Sequence, residues 1–256
     1  MNKWSGDYHF VLRNLIAKDF RVRYRNMSLG VFWSLLNPLI MMGVLTFVFT
    51  KIFVNPQISN YPVFILCGLI PYNFLSLSWG IGTTCILDNT PLIKRTTFPK
   101  EIIPVASVLS NCLHLLIQIG LLLVVAQFFG RGVNRYWLWL PYIWVFEVVF
   151  TCGLVLLCSA LDVYIRDMRY IVEATCTVLF WLAPILYPFG IIPPQYADIY
   201  QFNPLAAIVL ALRNILLENI PPPSTLLVKL ALSSVAILLT GWLVFNRAKP
   251  RFYDYL

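Results

Sequence analysis

The feature that most constrains this chain is an abrupt change near residue 29 from a basic stretch to a long apolar one. From Leu29 to Val54 only Lys51 is charged. An apolar run of more than about 18 residues is long enough to cross a bilayer core as a helix. The five basic side chains nearest to it on the N-terminal side are Arg13, Lys18, Arg21, Arg23 and Arg25. Because basic residues collect on the cytoplasmic side of membrane helices, this boundary predicts a membrane surface that faces the cytoplasm.

The composition also indicates a membrane protein. Of the 256 residues, 59% are hydrophobic and 12% are charged, whereas a soluble domain carries about 25% charged residues. The formal net charge is +8, and the Lys and Arg residues that cause it lie beside apolar runs. This placement is typical of topology signals and lipid contacts rather than of a nucleic-acid surface. The six cysteines lie in or next to apolar runs without CxxC pairs, so we expect small buried residues and no metal site.

Six apolar segments are long enough to span a bilayer. We place them at 30–53, 61–87, 103–129, 138–161, 171–192 and 226–245. Of the 19 Lys and Arg residues, 14 lie on the side that holds the termini and the second and fourth connections, and 5 lie on the other side. This bias predicts that both termini are cytoplasmic. Residues 3–25 have apolar positions at helical spacing and predict an amphipathic helix at the membrane surface. A solvated tail is the alternative for that segment.

The connection between the fifth and sixth predicted spans is rich in proline. It contains the apolar run 204–217, which is too short to cross alone and has a length typical of re-entrant or interfacial segments. We therefore predict an outer gate at 193–222, and the alternative is a helix resting passively on the outer leaflet. The predicted fold class is an all-α integral membrane protein with six transmembrane helices, an N-terminal amphipathic interface helix and short re-entrant helices between spans five and six.

The predicted cytoplasmic connection at 88–102 combines charged and apolar side chains in the sequence DNTPLIKRTTFPKEI. A short helix with an apolar wedge and charged flanks suits docking into a cleft of a soluble partner. A loop that holds phospholipid head groups is the alternative. The chain has no phosphate-binding loop and no hydrolase or metalloprotease motif, so we expect no enzyme activity and no ATP hydrolysis by this chain itself.

Polar residues inside the predicted spans are few, and each is a candidate for function. His114, Asn111 and Gln118 form a polar stripe on one helix face, which predicts hydrogen bonding between helices or, alternatively, the lining of a conduit. For Glu147 we predict structural pairing with Arg131 or Arg135, and the alternative is a role in transport.

Four segments carry a family resemblance. They are RNLIAKDFRVRYRNMSLGVFWSLLNPLI, DNTPLIKRTTFPKEIIP, DVYIRDMRYI and APILYPFGIIPPQYADIYQFNPLAAIVLALRNILL. In this order and spacing the chain resembles the membrane subunit of type-2 ABC exporters, in the branch that exports O-antigen, capsule or teichoic acid. The resemblance implies a homodimer in the bacterial inner membrane, bound to two copies of an ATP-binding subunit that holds the ATP and Mg. It also implies a lipid-linked glycan as the substrate and surrounding membrane lipids, with no cofactor on this chain.

The resemblance also assigns residues to roles. Coupling to the ATPase falls to Leu92, Ile93, Lys94, Arg95, Phe98, Pro99, Lys100 and Glu101. The membrane-surface residues are Arg21, Arg23, Tyr24 and Arg25. The outer gate would include Pro188, Pro193, Pro194, Asn203 and Pro204. As a guess from physical chemistry, the translocation path would use Phe32, Trp33, Tyr72, Phe74, Trp79 and His114.

Three other functions fit parts of the same sequence. A related permease could export drugs or small lipids instead of a glycan. A secondary carrier would need broken helices near the bilayer centre, whereas the proline-rich stretch here is predicted at the outer face. A membrane enzyme acting on lipid-linked sugars would need acidic residues at the lipid surface, where Asp162 and Asp167 are the candidates.

Overall fold

The computed structural model describes residues 7–24, 30–53, 58, 60–95, 98–129 and 132–255, apart from the side chains of residues 23, 24, 31 and 197. Every regular element within these ranges is helical, which confirms the all-α prediction. In chain order the α-helices are α1 (Tyr8–Tyr24), α2 (Trp33–Phe47), α3 (Tyr61–Asp88), α4 (Thr90–Arg95), α5 (Ile102–Phe129), α6 (Leu140–Asp162), α7 (Met168–Leu182), α8 (Pro194–Phe202), α9 (Pro204–Arg213), α10 (Ser224–Ala248) and α11 (Phe252–Tyr255).

Five helical stretches of the described chain are long and apolar enough to cross a membrane. They are Trp33–Ile52, Tyr61–Asp88, Ile102–Phe129, Arg135–Asp162 and Ser224–Tyr255. Short 3₁₀ or π turns extend some of these helices beyond their α-helical bounds. Each stretch coincides with a predicted span, so the interpretation as an integral membrane protein is confirmed.

The fifth predicted span, 171–192, differs from the structure. Helix α7 ends at Leu182 after 15 residues, or about 22 Å, and falls short of the roughly 30 Å hydrocarbon core. Ala183 takes an extended conformation, because Pro184 follows it and disfavours helical geometry in the residue before it. Our prediction of a helix reaching residue 192 is therefore wrong by ten residues.

Helices α8 and α9 form a sharply bent pair, with an angle of 104° between them. The bend lies at Asn203, whose side chain accepts a hydrogen bond from the backbone N–H of Leu205 at 3.1 Å. Pro204 follows at the first helical position, where its missing N–H costs nothing. Helix α9 is buried against the rest of the bundle along almost its whole length. The alternative of a helix resting passively on the outer leaflet is therefore wrong.

Close packing of glycines joins α6 to α10. A side chain on Gly241 would collide with the backbone carbonyl of Gly153, and a Cβ on Gly153 would lie 2.6 Å from the backbone nitrogen of Leu238. Small residues let membrane helices approach closely, so that backbone atoms of the two helices gain dispersion contacts. This contact fixes the last spanning helix against the centre of the bundle.

The bundle has two chemically different ends. We call one the basic end: it holds α1, the loop 88–101, the loop 163–167 and the residues after 245. These parts share one apolar cluster that includes Leu15, Ile93, Ile103, Phe245 and Phe252. The opposite end holds the proline-rich connection between α7 and α9, which we call the proline-rich end.

Candidate functional site: the basic end and a polar cavity

Helix α1 is held at the basic end by apolar and polar contacts. Leu15 is buried in the cluster described above. The ammonium of Lys18 donates a hydrogen bond of 2.6 Å to the side-chain oxygen of Asn89, just before α4. Arg21 is exposed. Of the other predicted surface residues, Arg25 and the side chains of Arg23 and Tyr24 lie outside the described part of the chain. The helix is thus joined directly to the start of the predicted coupling loop.

Helix α4 turns one apolar residue inward and two basic residues outward. The side chain of Ile93 is 1% exposed, whereas Lys94 and Arg95 are exposed. Leu92 and Phe98 are partly buried against the same cluster. Because Ile93 is buried, its side chain cannot contact another protein directly. It instead packs the loop against the bundle. The surface left for a partner is the one that carries Lys94 and Arg95.

Two further predicted coupling residues bind the chain's own carboxyl-terminal segment. The Lys100 side chain is 8% exposed, and its ammonium lies 3.6 Å from the ring centroid of Tyr253. Burial lowers the pKa of Lys100, and the charge of Lys249 lowers it further. Lys249 in turn forms an ion pair of 2.8 Å with Glu101. Lys100 and Glu101 therefore position the loop, while the neighbouring Pro99 is half-buried.

The segment 249–255, which we call the C-terminal tail, is a part of this site that the sequence patterns did not indicate. Its Phe252 is fully buried in the basic-end cluster. The hydroxyl of Tyr164 donates a hydrogen bond of 2.8 Å to the carbonyl of Ala248, just before the tail, and its ring lies 4.8 Å from that of Tyr255. The tail thus contacts both connecting loops of this end. The signal available in the sequence was the aromatic and basic run KPRFYDY directly after the last span.

At the proline-rich end, one arginine holds the broken region in place. Arg213 is buried, and its guanidinium donates hydrogen bonds to the backbone carbonyls of Ile185 at 2.8 Å and Tyr187 at 3.3 Å. It also lies 3.4 Å from the ring centroid of Phe64. These carbonyls belong to the stretch where α7 has ended, so Arg213 satisfies backbone groups that the helix break leaves without partners.

The predicted gate residues take different places around this anchor. Pro188 is half-buried, Pro193 and Pro194 are exposed, and Pro204 is buried at the start of α9. Asn203 caps α9, as an asparagine before a helix commonly does. Their proposed part in opening the outer face stays a prediction.

A polar cavity of about 370 Å³ lies between α2, α3 and α5. Its polar lining consists of Ser34, Asn37, Asn73, Ser76, His114 and Gln118. Of the six residues predicted for the translocation path, Trp33, Phe74 and His114 line it. Phe32 is exposed and lies outside the lining. Tyr72 and Trp79 also lie outside it: the Tyr72 hydroxyl donates to the Cys176 carbonyl at 3.2 Å, and the Trp79 indole N–H donates to the Cys158 sulfur at 3.1 Å.

Two residues of the polar stripe on α5, His114 and Gln118, line this cavity and tie α5 to α2. The hydroxyl of Ser34 and Nδ1 of His114 form a hydrogen bond of 2.6 Å. The amide nitrogen of Gln118 donates to the backbone carbonyl of Ser34 at 3.2 Å. Hydrogen bonding between helices is therefore confirmed for His114 and Gln118. His114 and Gln118 also line the cavity. The lining of a conduit, the alternative predicted for this stripe, stays a prediction.

Glu147 has no salt-bridge partner within the described residues. Its side chain is 1% exposed, and no donor in that part of the chain reaches either carboxylate oxygen. Arg135 instead donates to the hydroxyl of Tyr136 at 2.9 Å. The predicted pairing with Arg135 is thus wrong, because the arginine lies in the turn before α6 and binds its own neighbour. Arg131 lies outside the described residues.

Comparison with known proteins identifies the family to which this chain belongs. The family described as "ABC-2 type transporter" matches residues 11–217. The chain is 31% identical to the O-antigen export system permease protein RfbA of Klebsiella pneumoniae, over 99% of this chain and 98% of that protein. It is 28% identical to RfbA of Myxococcus xanthus, over 96% and 95%. It is also 27% identical to the polysialic acid transport protein KpsM of Escherichia coli, over 76% of each. The chain therefore belongs to the ABC-2 type transporter family, as a multi-span membrane permease.

Proposed function

We propose that this chain is the membrane permease of an ATP-driven exporter that moves a lipid-linked polysaccharide across the bacterial inner membrane. The observation that carries the proposal is the match over 99% of the chain to a permease named for O-antigen export. The name of a second relative, a polysialic acid transport protein, supports the same substrate class. Export of drugs or small lipids is less well supported, since the named relatives handle polysaccharides.

The energy for export comes, in this proposal, from two copies of a separate ATP-binding subunit. That subunit would hold the ATP and its Mg²⁺ and dock at the basic end, which faces the cytoplasm together with both termini. The exposed pair Lys94 and Arg95 offers a basic surface for it. The start of helix α4 is joined to α1 through the hydrogen bond between Lys18 and Asn89. Helix α4 is joined to the C-terminal tail through the Tyr253 hydroxyl, which donates to the Ile93 carbonyl at 3.5 Å. A push on α4 would therefore move all of these parts together.

The substrate path would lie between two copies of the chain. Only Pro38 is buried among the residues of α2, so most of this spanning helix faces outward from the single chain. A second copy packed near this face would place the two polar cavities beside a shared path. Binding of ATP must favour one arrangement of the two copies over another, because a ligand shifts an equilibrium only through its differential affinity.

The test replaces Lys94 and Arg95 together by alanine. Lys100 stays unchanged because it is buried against the C-terminal tail. Its replacement could disturb folding, and a folding defect could not be distinguished from a docking defect. We expect the variant to reach the membrane in normal amount, to lose co-purification with the ATP-binding subunit and to lose polysaccharide at the cell surface.

A matched control replaces Lys51 and Arg135, which are exposed basic residues outside the basic end, by alanine. This control should retain both association and export. Normal association and normal export in the Lys94 and Arg95 variant would contradict the docking assignment. Unchanged surface polysaccharide after deletion of the whole chain would contradict the proposed function itself.

A further inference from the structure

The polar cavity places amide side chains at a depth where such groups are expensive. Asn73 lies twelve residues from the start of α3 and fifteen from its end, or about 18 and 22 Å along the helix axis. It is therefore near the middle of the span. Transfer of an amide into an apolar medium without hydrogen bonds is strongly unfavourable. A polar residue at this depth is usually functional.

Two of the cavity's amides are available to a ligand. Asn37 on α2 and Asn73 on α3 both line the cavity, and neither side chain has a hydrogen-bond partner among the described residues. Asn37 is exposed and Asn73 is half-buried. By contrast, His114 and Gln118 on the opposite wall are already bonded to Ser34. These bonds fix α2 against α5 and so hold one wall of the cavity in place for the two free amides.

The lining chemistry favours a neutral ligand rich in hydroxyl groups. Each asparagine amide offers two N–H donors and one carbonyl acceptor, which can pair with neighbouring hydroxyls that both donate and accept. None of the lining residues is a lysine, arginine, aspartate or glutamate, whereas sites for phosphate or carboxylate normally use arginine or lysine. The Trp33 ring is 50% exposed beside the cavity and offers an apolar face to the C–H groups of a sugar ring.

The size of the cavity fits one part of a long substrate rather than the whole. Its volume of about 370 Å³ is at the low end of the roughly 300–1,000 Å³ of small-molecule sites. Helix α2 forms one wall of the cavity, and among its residues only Pro38 is buried. A polymer passing along that helix could place a sugar ring into the cavity and withdraw it again.

We propose that the polar cavity binds an uncharged sugar residue of the exported glycan, with Asn37 and Asn73 as the hydrogen-bonding residues and Trp33 as the stacking surface. The inference rests on the proposed function. Beyond that function, we infer that the sugar unit bound in the cavity carries no phosphate or carboxylate. Specificity for a neutral unit follows because an anion in this cavity would lose its water without gaining a cation.

The first experiment replaces Asn37 and Asn73 by leucine, which keeps a similar side-chain length and removes the amides. Surface polysaccharide should fall about tenfold, as expected from two lost hydrogen bonds, while the amount of permease in the membrane and its association with the ATP-binding subunit stay unchanged. The control is Gln127→Leu, which removes an amide at an exposed position of α5 outside the cavity. Normal export by the cavity variant would overturn the proposal.

The second experiment identifies what the cavity holds. A photo-reactive benzoylphenylalanine at position 73, in the complete exporter within glycan-producing cells, should capture glycan whose attached unit is neutral by mass spectrometry. The same probe at Leu116, an exposed position on α5, should capture lipid. Capture of only lipid at position 73, or of a phosphorylated or acidic sugar unit, would overturn the proposal. Export that continues without the permease would instead contradict the proposed function, so the two failures are distinguishable.

Discussion

Helices α2 and α9 are both apolar, yet α9 is almost completely buried within the single chain and α2 is not. In α9, Ile208 and its neighbours from Leu205 to Val209 are almost completely buried. In α2 only Pro38 is buried, and Ile40 is 55% exposed. Hydropathy identifies both as membrane segments but does not say what covers them. The contrast teaches that α9 is an interior element of one chain, while the exposed face of α2 must be covered by lipid or by a second copy.

The largest difference should appear when the same side chain is shortened in both helices. Ile208→Ala should lower the free energy of unfolding by about 2–5 kcal/mol because it leaves a cavity in a packed interior. Ile40→Ala should change it by no more than about 0.5 kcal/mol, since little protein surrounds that side chain. Titration of the purified chain with sodium dodecyl sulfate in mixed micelles measures both values. Equal losses would contradict the contrast between the two helices.

A second prediction compares the polar anchors of the two helices. Arg213→Met should destabilise the chain by about 2–4 kcal/mol, because the buried carbonyls of Ile185 and Tyr187 lose their donors. Ser34→Ala removes one hydrogen bond between α2 and His114 and should cost about 1 kcal/mol. The same detergent titration applies, and limited proteolysis should show cleavage near residues 183–193 only in the Arg213 variant. An Arg213 variant as stable as the parent would contradict this role and show that other contacts stabilise the segment after α7.

The third prediction uses glycines. Gly241→Ala places a methyl group against the backbone of Gly153, and overpacking of this kind costs about 1–3 kcal/mol. Gly43 on α2 has no atoms within 4 Å of an added Cβ, so Gly43→Ala should be neutral or stabilising by about 0.5–1 kcal/mol through helix propensity. Thermal unfolding of both variants in detergent provides the comparison. Destabilisation by Gly43→Ala in the isolated chain would mean that α2 is packed more tightly than its exposure indicates.

The smallest effect concerns Lys100, at the basic end. Its folded pKa is lowered by burial, below an unfolded value of about 10.4. The unfolded chain therefore binds more protons between these two values, and stability should rise as the pH increases through that window. Lys100→Met keeps the packing against Tyr253 and should remove the rise. Thermal midpoints measured as the pH is raised toward the unfolded value of about 10.4 test it, and an identical pH profile in the variant would contradict the assignment.

The spans could be predicted from the sequence because each depends on local hydropathy alone. The end of α7 at Leu182 was predictable too, since Pro184 follows directly, but the apolar run that continues to residue 192 concealed it. The polar stripe at His114 and Gln118 was correctly assigned to contacts between helices. In each case the deciding information lies within a few residues of the feature.

The remaining features depend on partners distant in sequence. Lys249 binds Glu101 across 148 positions, and Arg213 binds backbone carbonyls that have no signature in side-chain chemistry. The inward turn of Ile93 depends on the cluster that surrounds it. The polar cavity needs three helices to meet, so no single segment reveals it. Sequence patterns therefore singled out the loop 88–101, whose coupling role stays a prediction, but not the C-terminal tail that holds it.

The central claim is that this chain is a passive permease whose movement is driven by a separate ATP-binding subunit at the basic end. The most direct measurement reconstitutes the purified chain in lipid vesicles with lipid-linked glycan from its own cells, with and without the ATP-binding protein that co-purifies with it. We predict ATP-dependent accumulation of glycan on the far side of the membrane only when both proteins are present. Uphill movement of glycan by the chain alone would contradict the account.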